Sequence, residues 1–202
     1  MGKMTSGTRI IVALASLLMI LAYFFPLWDI SLGAPQYPEG LGLQIWINRI
    51  DGQVDIINGL NHYIGMKFIT QETFPELVYM PYIVGALIAF GLLAALIGKR
   101  ILLIVFAVIL ILSGIAGAYD YYRWAYDYGH NLDPTAAIKV PGMSYQPPML
   151  GSKELLNFTA TAWPGIGGMA VILAALAVLI VTIIEIRNYR KNRAENKNVF
   201  PG

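Results

Sequence analysis

The sequence predicts an α-helical integral membrane protein with four transmembrane helices and a small extracytoplasmic cap of mixed strand, helix and irregular structure. Three observations lead to this fold class. Only 13% of the 202 residues are charged, whereas a soluble domain usually carries about 25%. Four apolar runs are each long enough to cross about 30 Å of hydrocarbon. The basic residues cluster at one end of these runs, as they do in membrane proteins of fixed orientation.

The four runs divide the chain into eight parts. The predicted parts are helix 1 with its N-terminal flank at 1–28, loop 1 at 29–76, helix 2 at 77–97, a cytoplasmic turn at 98–100, helix 3 at 101–118, loop 2 at 119–162, helix 4 at 163–186 and a basic tail at 187–202. In hydrocarbon such segments must be helices, because every backbone polar group has to be paired within the segment. The first run ends in Tyr23-Phe24-Phe25-Pro26 without a small-residue cleavage site. It therefore predicts a retained anchor rather than a signal peptide.

The charge distribution predicts the orientation. Nine of the 14 basic residues lie in the terminal segments and in the 98–100 turn, and only two acidic residues share this side, Glu195 in the tail and Glu185 at the end of helix 4, which gives it a net charge of +7. The two long loops carry a net charge of −5. Since basic residues favour the cytoplasmic side, we expect a multi-pass protein with both termini in the cytoplasm and both loops outside.

Aromatic residues at the predicted outer ends of the spans agree with this orientation. Tyrosine and tryptophan side chains favour the interface between lipid and water. The aromatic residues at these positions are Trp28, Tyr79, Tyr82, Tyr119, Tyr121, Tyr122, Trp124 and Trp163. We interpret them as an interfacial belt.

The composition excludes several classes of function. The chain has no cysteine, which excludes disulfide scaffolds and thiolate metal sites. The four apolar cores lack ionisable residues, so ion translocation by this chain alone is not expected. Glu185, near Arg187 and the Lys99-Arg100 turn, is predicted to form a surface ion pair. No phosphate-binding or dinucleotide motif occurs, and no nucleophile-elbow context supports a Ser-His-Asp triad. We expect a non-catalytic protein with no nucleic-acid partner.

The two loops are predicted to pack on each other as one compact cap. The alternation of apolar and polar residues over 41–48 predicts a strand. Apolar residues at 3–4 spacing predict a short helix over about 53–63, although Asn58-Gly59 is a turn signal. If this helix forms, four side chains share one of its faces: Asp55, Asn58, His62 and Met66. Loop 2 is rich in proline and glycine and is expected to be mostly irregular.

Both histidines of the chain lie in these loops, together with three methionines. Imidazole and thioether are the ligands that suit copper, particularly Cu(I), when no thiolate is present. The candidate metal ligands are His62, Met66, His130, Met143 and Met149. The alternative is that the histidines are hydrogen-bonding groups and the methionines fill gaps in the core. Zinc is disfavoured because structural zinc sites usually use cysteines.

Three loop motifs carry a resemblance to a known family. They are Tyr37-Pro38-Glu39-Gly40-Leu41, Ile57-Asn58-Gly59-Leu60-Asn61-His62-Tyr63-Ile64-Gly65-Met66 and Tyr128-Gly129-His130-Asn131-Leu132-Asp133-Pro134. On a four-span scaffold they resemble the NosB family, four-helix membrane proteins encoded in clade II (Sec-exported) nitrous-oxide-reductase gene clusters.

The resemblance implies a bacterial inner-membrane protein in contact with lipid. It also implies a periplasmic partner, the multicopper nitrous-oxide reductase, and a role in its copper supply, anchoring or electron delivery, with copper as a possible cofactor. Within the motifs the expected partner-binding residues are Tyr37, Glu39, Asn58, Asn61 and Tyr63. Two alternatives stay open, a purely structural interaction subunit without metal and a quinol-handling electron-transfer subunit.

Overall fold

The chain folds into two compact units. A computed structural model describes residues 2–155 and 158–199, with 193–199 described by their backbone alone, so the end of the predicted basic tail lies outside the described residues. The helical unit comprises Met1–Ile20, Ile83–Gly114 and Ala170–Gly202. The sheet unit comprises Leu21–Tyr82 and Ile115–Met169.

Within the described part of the chain, four helices are long and apolar enough to cross a membrane. Helix α1 spans Ser6–Leu18 and continues as a 3-10 turn over Met19–Tyr23. The other three are α3 at Glu76–Ile97, α4 at Arg100–His130 and α5 at Ile166–Val199. The short helix α2, between α1 and α3 in the chain, spans Val54–Ile64. The four predicted spans are therefore confirmed as apolar helices.

The core of the helical unit is built from apolar side chains of all sizes on all four long helices. Val12, Phe106 and Val178 are fully buried. Ala174 is also fully buried, and a side chain of this size allows the backbones of neighbouring helices to approach closely. The unit is thus held by close packing, which is the usual basis of helix association in membranes.

A buried ion pair lies at one end of the helical unit. Glu185 on α5 is only 1% exposed. Its Oε1 accepts hydrogen bonds from Arg100 Nη2 at 2.8 Å and Nε at 3.2 Å, and its Oε2 accepts one from Thr8 Oγ1 at 2.9 Å. Arg100 Nη2 also donates to the backbone oxygen of Lys3 at 3.1 Å. The predicted surface ion pair is therefore wrong: α1, α4 and α5 enclose the carboxylate, and its charged partner is Arg100.

The sheet unit contains one antiparallel sheet with the strand order β3-β2-β1-β5-β4. The strands are β1 at Trp28–Ala34, β2 at Tyr37–Ile45, β3 at Ile50–Gly52, β4 at Gly151–Leu155 and β5 at Phe158–Pro164. Strand β1 pairs with β2 on one side and with β5 on the other. Because β5 comes from loop 2, the prediction that both loops form one folded unit is confirmed.

Two predictions about the loops need correction. The predicted strand at 41–48 is present as β2 but begins earlier, at Tyr37. Loop 2 was expected to be mostly irregular, yet it supplies β4 and β5. Ser152, Lys153 and Glu154 of β4 are exposed, so this edge strand lacks the hydrophobic pattern that would have identified it.

Helix α4 extends well beyond the predicted end of the third span at 118. Residues 119–130 continue the helix, since aromatic side chains recur there at 3–4 spacing and form one face. These side chains are Tyr121, Trp124 and Tyr128. The rings of Trp124 and Tyr128 lie 4.8 Å apart between centroids and pack on the apolar core of the sheet unit. Interpreting Trp124 purely as part of a lipid belt is therefore wrong, whereas Tyr119 and Trp163 are exposed as a belt requires.

Gly129 allows the segment around Tyr145 to lie directly against α4. The Tyr145 N–H donates to the Gly129 carbonyl at 2.9 Å, and a Cβ at Gly129 would come within 2.3 Å of the Gln146 backbone. Gly129→Ala should lower the free energy of unfolding by about 1–3 kcal/mol through overpacking, measured by thermal unfolding in detergent. The matched control is Gly117→Ala on the same helix, where a Cβ meets no atom within 4 Å. Equal melting temperatures for the two variants would contradict this packing.

Candidate functional site

Helix α2 contains most of the 57–66 motif, the longest of the three that resemble the NosB family. The predicted helix is confirmed, running over Val54–Ile64 with Gly65 in the left-handed conformation at its C-terminus, φ +78°. A Cβ at Gly65 would lie 2.9 Å from the Asp133 oxygen, so only glycine fits this close approach. Because the helix ends before Met66, the prediction that Met66 continues the face of His62 is wrong.

The ring of His62 lies on the surface in a cluster of exposed aromatic side chains. It stacks on Phe68 with centroids 6.0 Å apart and an interplanar angle of 22°, and it lies 6.2 Å from the Tyr63 ring. Tyr63 is 57% exposed and Phe68 is 55% exposed. These three residues, His62, Tyr63 and Phe68, are called the α2 patch below.

A segment of loop 2 borders the α2 patch. The Asp133 N–H donates to the Gly65 carbonyl at 2.8 Å, and the Ile138 N–H donates to the Tyr63 carbonyl at 2.9 Å. Hydrogen bonds from the Thr135 hydroxyl and N–H hold the pKa of Asp133 below its usual range, and the charges of His62 and Lys139 lower it further. The fold thus brings the end of the α2 motif beside the residues that follow the third motif.

His130 lies at the end of α4 in a different setting. Its ring stacks on Tyr126 with centroids 4.0 Å apart, and its Nδ1 is 2.9 Å from the Tyr126 carbonyl. Since a carbonyl oxygen only accepts, Nδ1 carries the proton and Nε2 keeps the lone pair that a metal would need. The ring is exposed, so this nitrogen is accessible from solvent.

The three candidate thioethers come from separate segments. Met66 is half-buried after α2 and lines a cavity, Met143 is half-buried in the turn after Val140, and Met149 is half-buried just before β4. Across residues 2–155 and 158–192, no three His, Asp or Glu side chains lie close enough together to hold a metal ion. A copper site would therefore depend on methionine sulfur, and copper binding stays a prediction.

The expected partner-binding residues differ in how much of each is available to a partner. The Asn58 side chain is buried and bonded at both ends to Ile69, donating to its carbonyl at 2.9 Å and accepting from its N–H at 2.7 Å. Asn61 is buried beside the cavity. On β2, Tyr37 is half-buried and Glu39 is exposed. The exposed members are therefore Tyr63 and Glu39.

Phe68 and Ile138 complete the surface around His62, yet neither was identified from the sequence. Both are large apolar side chains exposed on a folded unit, at 55% and 48%. In the sequence each is an isolated apolar residue within an irregular segment. Ile138 lies beside α2 because its N–H donates to the Tyr63 carbonyl, a contact that no local pattern predicts.

No protein-family model matches this chain, and comparison with curated proteins gives no significant match. A function therefore has to be inferred from the chain's own residues and from the resemblance of its motifs.

Proposed function

We propose that this protein is an inner-membrane accessory subunit that anchors a periplasmic multicopper enzyme, the nitrous-oxide reductase, through its sheet unit. The proposal takes the orientation from the charge distribution, with both termini in the cytoplasm and the sheet unit in the periplasm. The observation that carries it is the α2 patch. Three exposed rings lie together within or directly beside the longest motif that resembles the NosB family.

Exposed aromatic side chains on a folded unit favour protein recognition. Aromatic residues are enriched where interfaces are most deeply buried, because they bury a large apolar area with little loss of side-chain entropy. Tyr63 also offers a hydroxyl and His62 a ring N–H to a partner. Such a patch combines apolar contact with hydrogen bonding.

The α2 patch is supported on a rigid base, which lowers the entropic cost of binding. Ile57 on the inner side of α2 is fully buried in the core of the sheet unit. The two Asn58 hydrogen bonds fix the segment that leads from α2 to Ile69, and Phe68 lies directly before this anchor. The rings are therefore held close to the positions in which a partner would meet them.

The charge around the patch indicates the kind of surface that fits it. Exposed charges of both signs surround the patch: Asp55 and Asp133 lie near the ends of α2, Lys67 lies beside Phe68 and Lys139 beside Ile138. Complementary charges across an interface favour the right partner, and like charges disfavour wrong ones. We therefore expect the reductase surface to present charges of both signs around an apolar contact.

Copper supply is a second candidate function. It is favoured by one observation: the rings of His62 and His130 are both exposed on the sheet unit. Imidazole nitrogens are common ligands of copper. In this alternative the thioethers of Met66, Met143 and Met149 would supplement the imidazoles.

If the protein anchors the reductase, substitutions in the α2 patch should lower the amount of reductase that co-purifies with it. The full chain carries a tag after Gly202, and the reductase that co-purifies from membranes is quantified. Tyr63→Ala and Phe68→Ala should each lower the amount by about tenfold or more, since central aromatic contacts contribute 2 kcal/mol or more. Leu150→Ala, which also truncates an exposed apolar side chain of the sheet unit, is the matched control and should leave it unchanged.

Copper content separates the two functions. If copper is bound, His62→Leu and Met66→Leu should each lower the copper retained per protein, measured by mass spectrometry, with normal protein levels in the membrane. Loss of copper with full reductase recovery would favour copper supply over anchoring by the α2 patch. Full recovery of both in all four variants would contradict both functions.

A further inference from the structure

The N-terminal segment of the helical unit pairs with the turn between α3 and α4. Lys3 and Lys99 lie opposite each other in an antiparallel bridge, and the residues on either side of them are joined by backbone hydrogen bonds of 2.8 and 3.3 Å. In this narrow type of antiparallel pair the Cα atoms lie about 4.5 Å apart and the two side chains leave on the same face. The fold therefore holds two positive charges side by side.

No acidic side chain in the described part of the chain offsets these charges. Like charges directly opposite each other destabilise a strand pair. Both lysine side chains are exposed, and neither forms an ion pair or a side-chain hydrogen bond with a residue that the structure describes. The carboxylate of Glu185, in the same unit, is already paired with Arg100. The pair of lysines thus lacks a counter-anion among residues 2–155 and 158–192.

A third positive charge is fixed at the same turn. Arg9 on α1 donates from Nε to the Ala95 carbonyl and from Nη2 to the Leu96 carbonyl, both at 2.8 Å. A Cβ at Gly98 would lie only 3.1 Å from Arg9 Nε. Since Gly98 directly precedes Lys99, three cationic side chains lie around one turn of the chain.

Exposed apolar side chains adjoin these charges. Ile10, next to Arg9 on α1, is 60% exposed, and Leu96, whose carbonyl Arg9 binds, is 72% exposed. Both α1 and α3 are long and apolar enough to cross a membrane, and Lys3 and Lys99 lie just outside these two spans. The apolar side chains therefore suit the hydrocarbon region and the lysines suit the headgroup region. A ligand that fits both parts carries an anionic group on an apolar chain.

We propose that Lys3, Lys99 and Arg9 bind the headgroup of one anionic phospholipid, whose acyl chain lies along Ile10 and Leu96. Basic side chains at the membrane surface attract anionic lipid. A phosphate between the two opposed lysines offsets their repulsion, because each unlike pair is closer than the like pair it separates. The inference rests on the helical unit alone and does not depend on the proposed anchoring function.

Photolabelling tests the site. The full chain is placed in nanodiscs of phosphatidylcholine, whose headgroup carries no net charge, and is titrated with phosphatidylglycerol that bears a diazirine on its acyl chain. Labelled residues are mapped by mass spectrometry. We expect saturable labelling of the α1 and α3 segments around Ile10 and Leu96, and unlabelled phosphatidylglycerol should displace the probe.

Substitutions measure the contribution of each charge. Lys3→Gln and Lys99→Gln should each raise the half-saturating concentration about fivefold, the usual contribution of one basic residue near an anionic membrane surface. Lys139→Gln removes the same charge from an exposed lysine of the sheet unit. It is the matched control and should leave the half-saturating concentration unchanged.

Lys99→Glu separates lipid binding from folding. The new side chain has the opposite charge to Lys3, so the bridge should be no less stable, and the melting temperature in detergent should not fall. Labelling should nevertheless decrease at least tenfold, because one attraction is lost and one repulsion is added. If Lys99→Glu lowers the melting temperature, the two glutamine variants decide.

Four results would overturn the proposal. They are labelling that does not saturate, labelling unchanged by both lysine-to-glutamine substitutions, equal labelling by a diazirine phosphatidylcholine, and displacement of the probe by glycerol phosphate as readily as by phosphatidylglycerol. The last result would assign the site to a soluble phosphate, because glycerol phosphate has no acyl chain.

Discussion

Replacing Glu185 by alanine should lower the free energy of unfolding by about 3–5 kcal/mol, the largest effect expected of any single substitution considered for this chain. The carboxylate accepts two hydrogen bonds from Arg100 and one from Thr8, and the Arg100 side chain is itself only 11% exposed. Removing the carboxylate leaves a buried guanidinium without its counter-charge. Denaturant unfolding of the purified protein in detergent measures the loss.

The double variant Arg100→Met/Glu185→Leu serves as the decisive control. Replacing both partners of a buried ion pair by apolar residues of similar size is often neutral or stabilising, so most of the lost stability should return. Asp51→Ala breaks the exposed pair with Arg49 and should cost less than about 1 kcal/mol. A Glu185→Ala effect as small as that of Asp51→Ala would show that the pair is solvated.

Asn58→Leu should destabilise the sheet unit by about 2–4 kcal/mol. Leucine has a similar volume and suits a buried helical position, but it leaves both the N–H and the carbonyl of Ile69 buried without partners, at about 1–3 kcal/mol for each such group. The α2 patch should also become mobile, because Phe68 loses its neighbouring anchor. Thermal unfolding measures the stability, and amide hydrogen exchange over 66–70 measures the local change.

Asn131→Leu is the matched control for this change. The Asn131 side chain is exposed and, among the residues that the structure describes, donates a hydrogen bond only to Asp127, so its removal should alter stability by less than about 1 kcal/mol. Comparable losses in Asn58→Leu and Asn131→Leu would indicate that the Asn58–Ile69 bonds contribute little.

The parts of the fold that depend on local pattern could be predicted from the sequence. The four spans follow from long apolar runs, and the spacing of Val54, Ile57, Leu60 and Ile64 marks α2. The shared loop unit could also be anticipated, since each loop carries apolar side chains that would otherwise face water. In each case the signal lies within a short stretch of chain.

The parts that depend on distant partners could not be predicted. Strand β4 has exposed side chains, and its pairing with β5 fixes its conformation. The burial of Glu185 depends on the approach of Thr8 and Arg100, which lie 177 and 85 residues away in the chain. Contacts between residues so far apart in the chain produce no local periodicity in the sequence from which they could be predicted.

The candidate site also has parts that could be predicted from local sequence and parts that depend on distant partners. The glycine at 65 could be expected to end a helix, and its left-handed conformation does so. The prediction that His62 and Met66 share one helical face was wrong for this reason, because it required the helix to continue beyond Gly65 to Met66. The cavity lined by Asn61 and Met66 depends on the meeting of α2 with the segment around Tyr145, more than 80 residues further along the chain.

The place of β1 in the sheet has a consequence for the biogenesis of the protein. One edge of β1 can pair with β2 as soon as the short turn between them has formed. The other edge pairs with β5, which is synthesised much later, since the paired residues Ser31 and Thr161 are 130 positions apart. During synthesis this second edge stays open while α3 and α4 are made. An open edge strand is a template for aggregation. Two long apolar helices therefore have to be synthesised before the first strand is protected, which makes the interval before β5 emerges the step of its synthesis most exposed to misassembly.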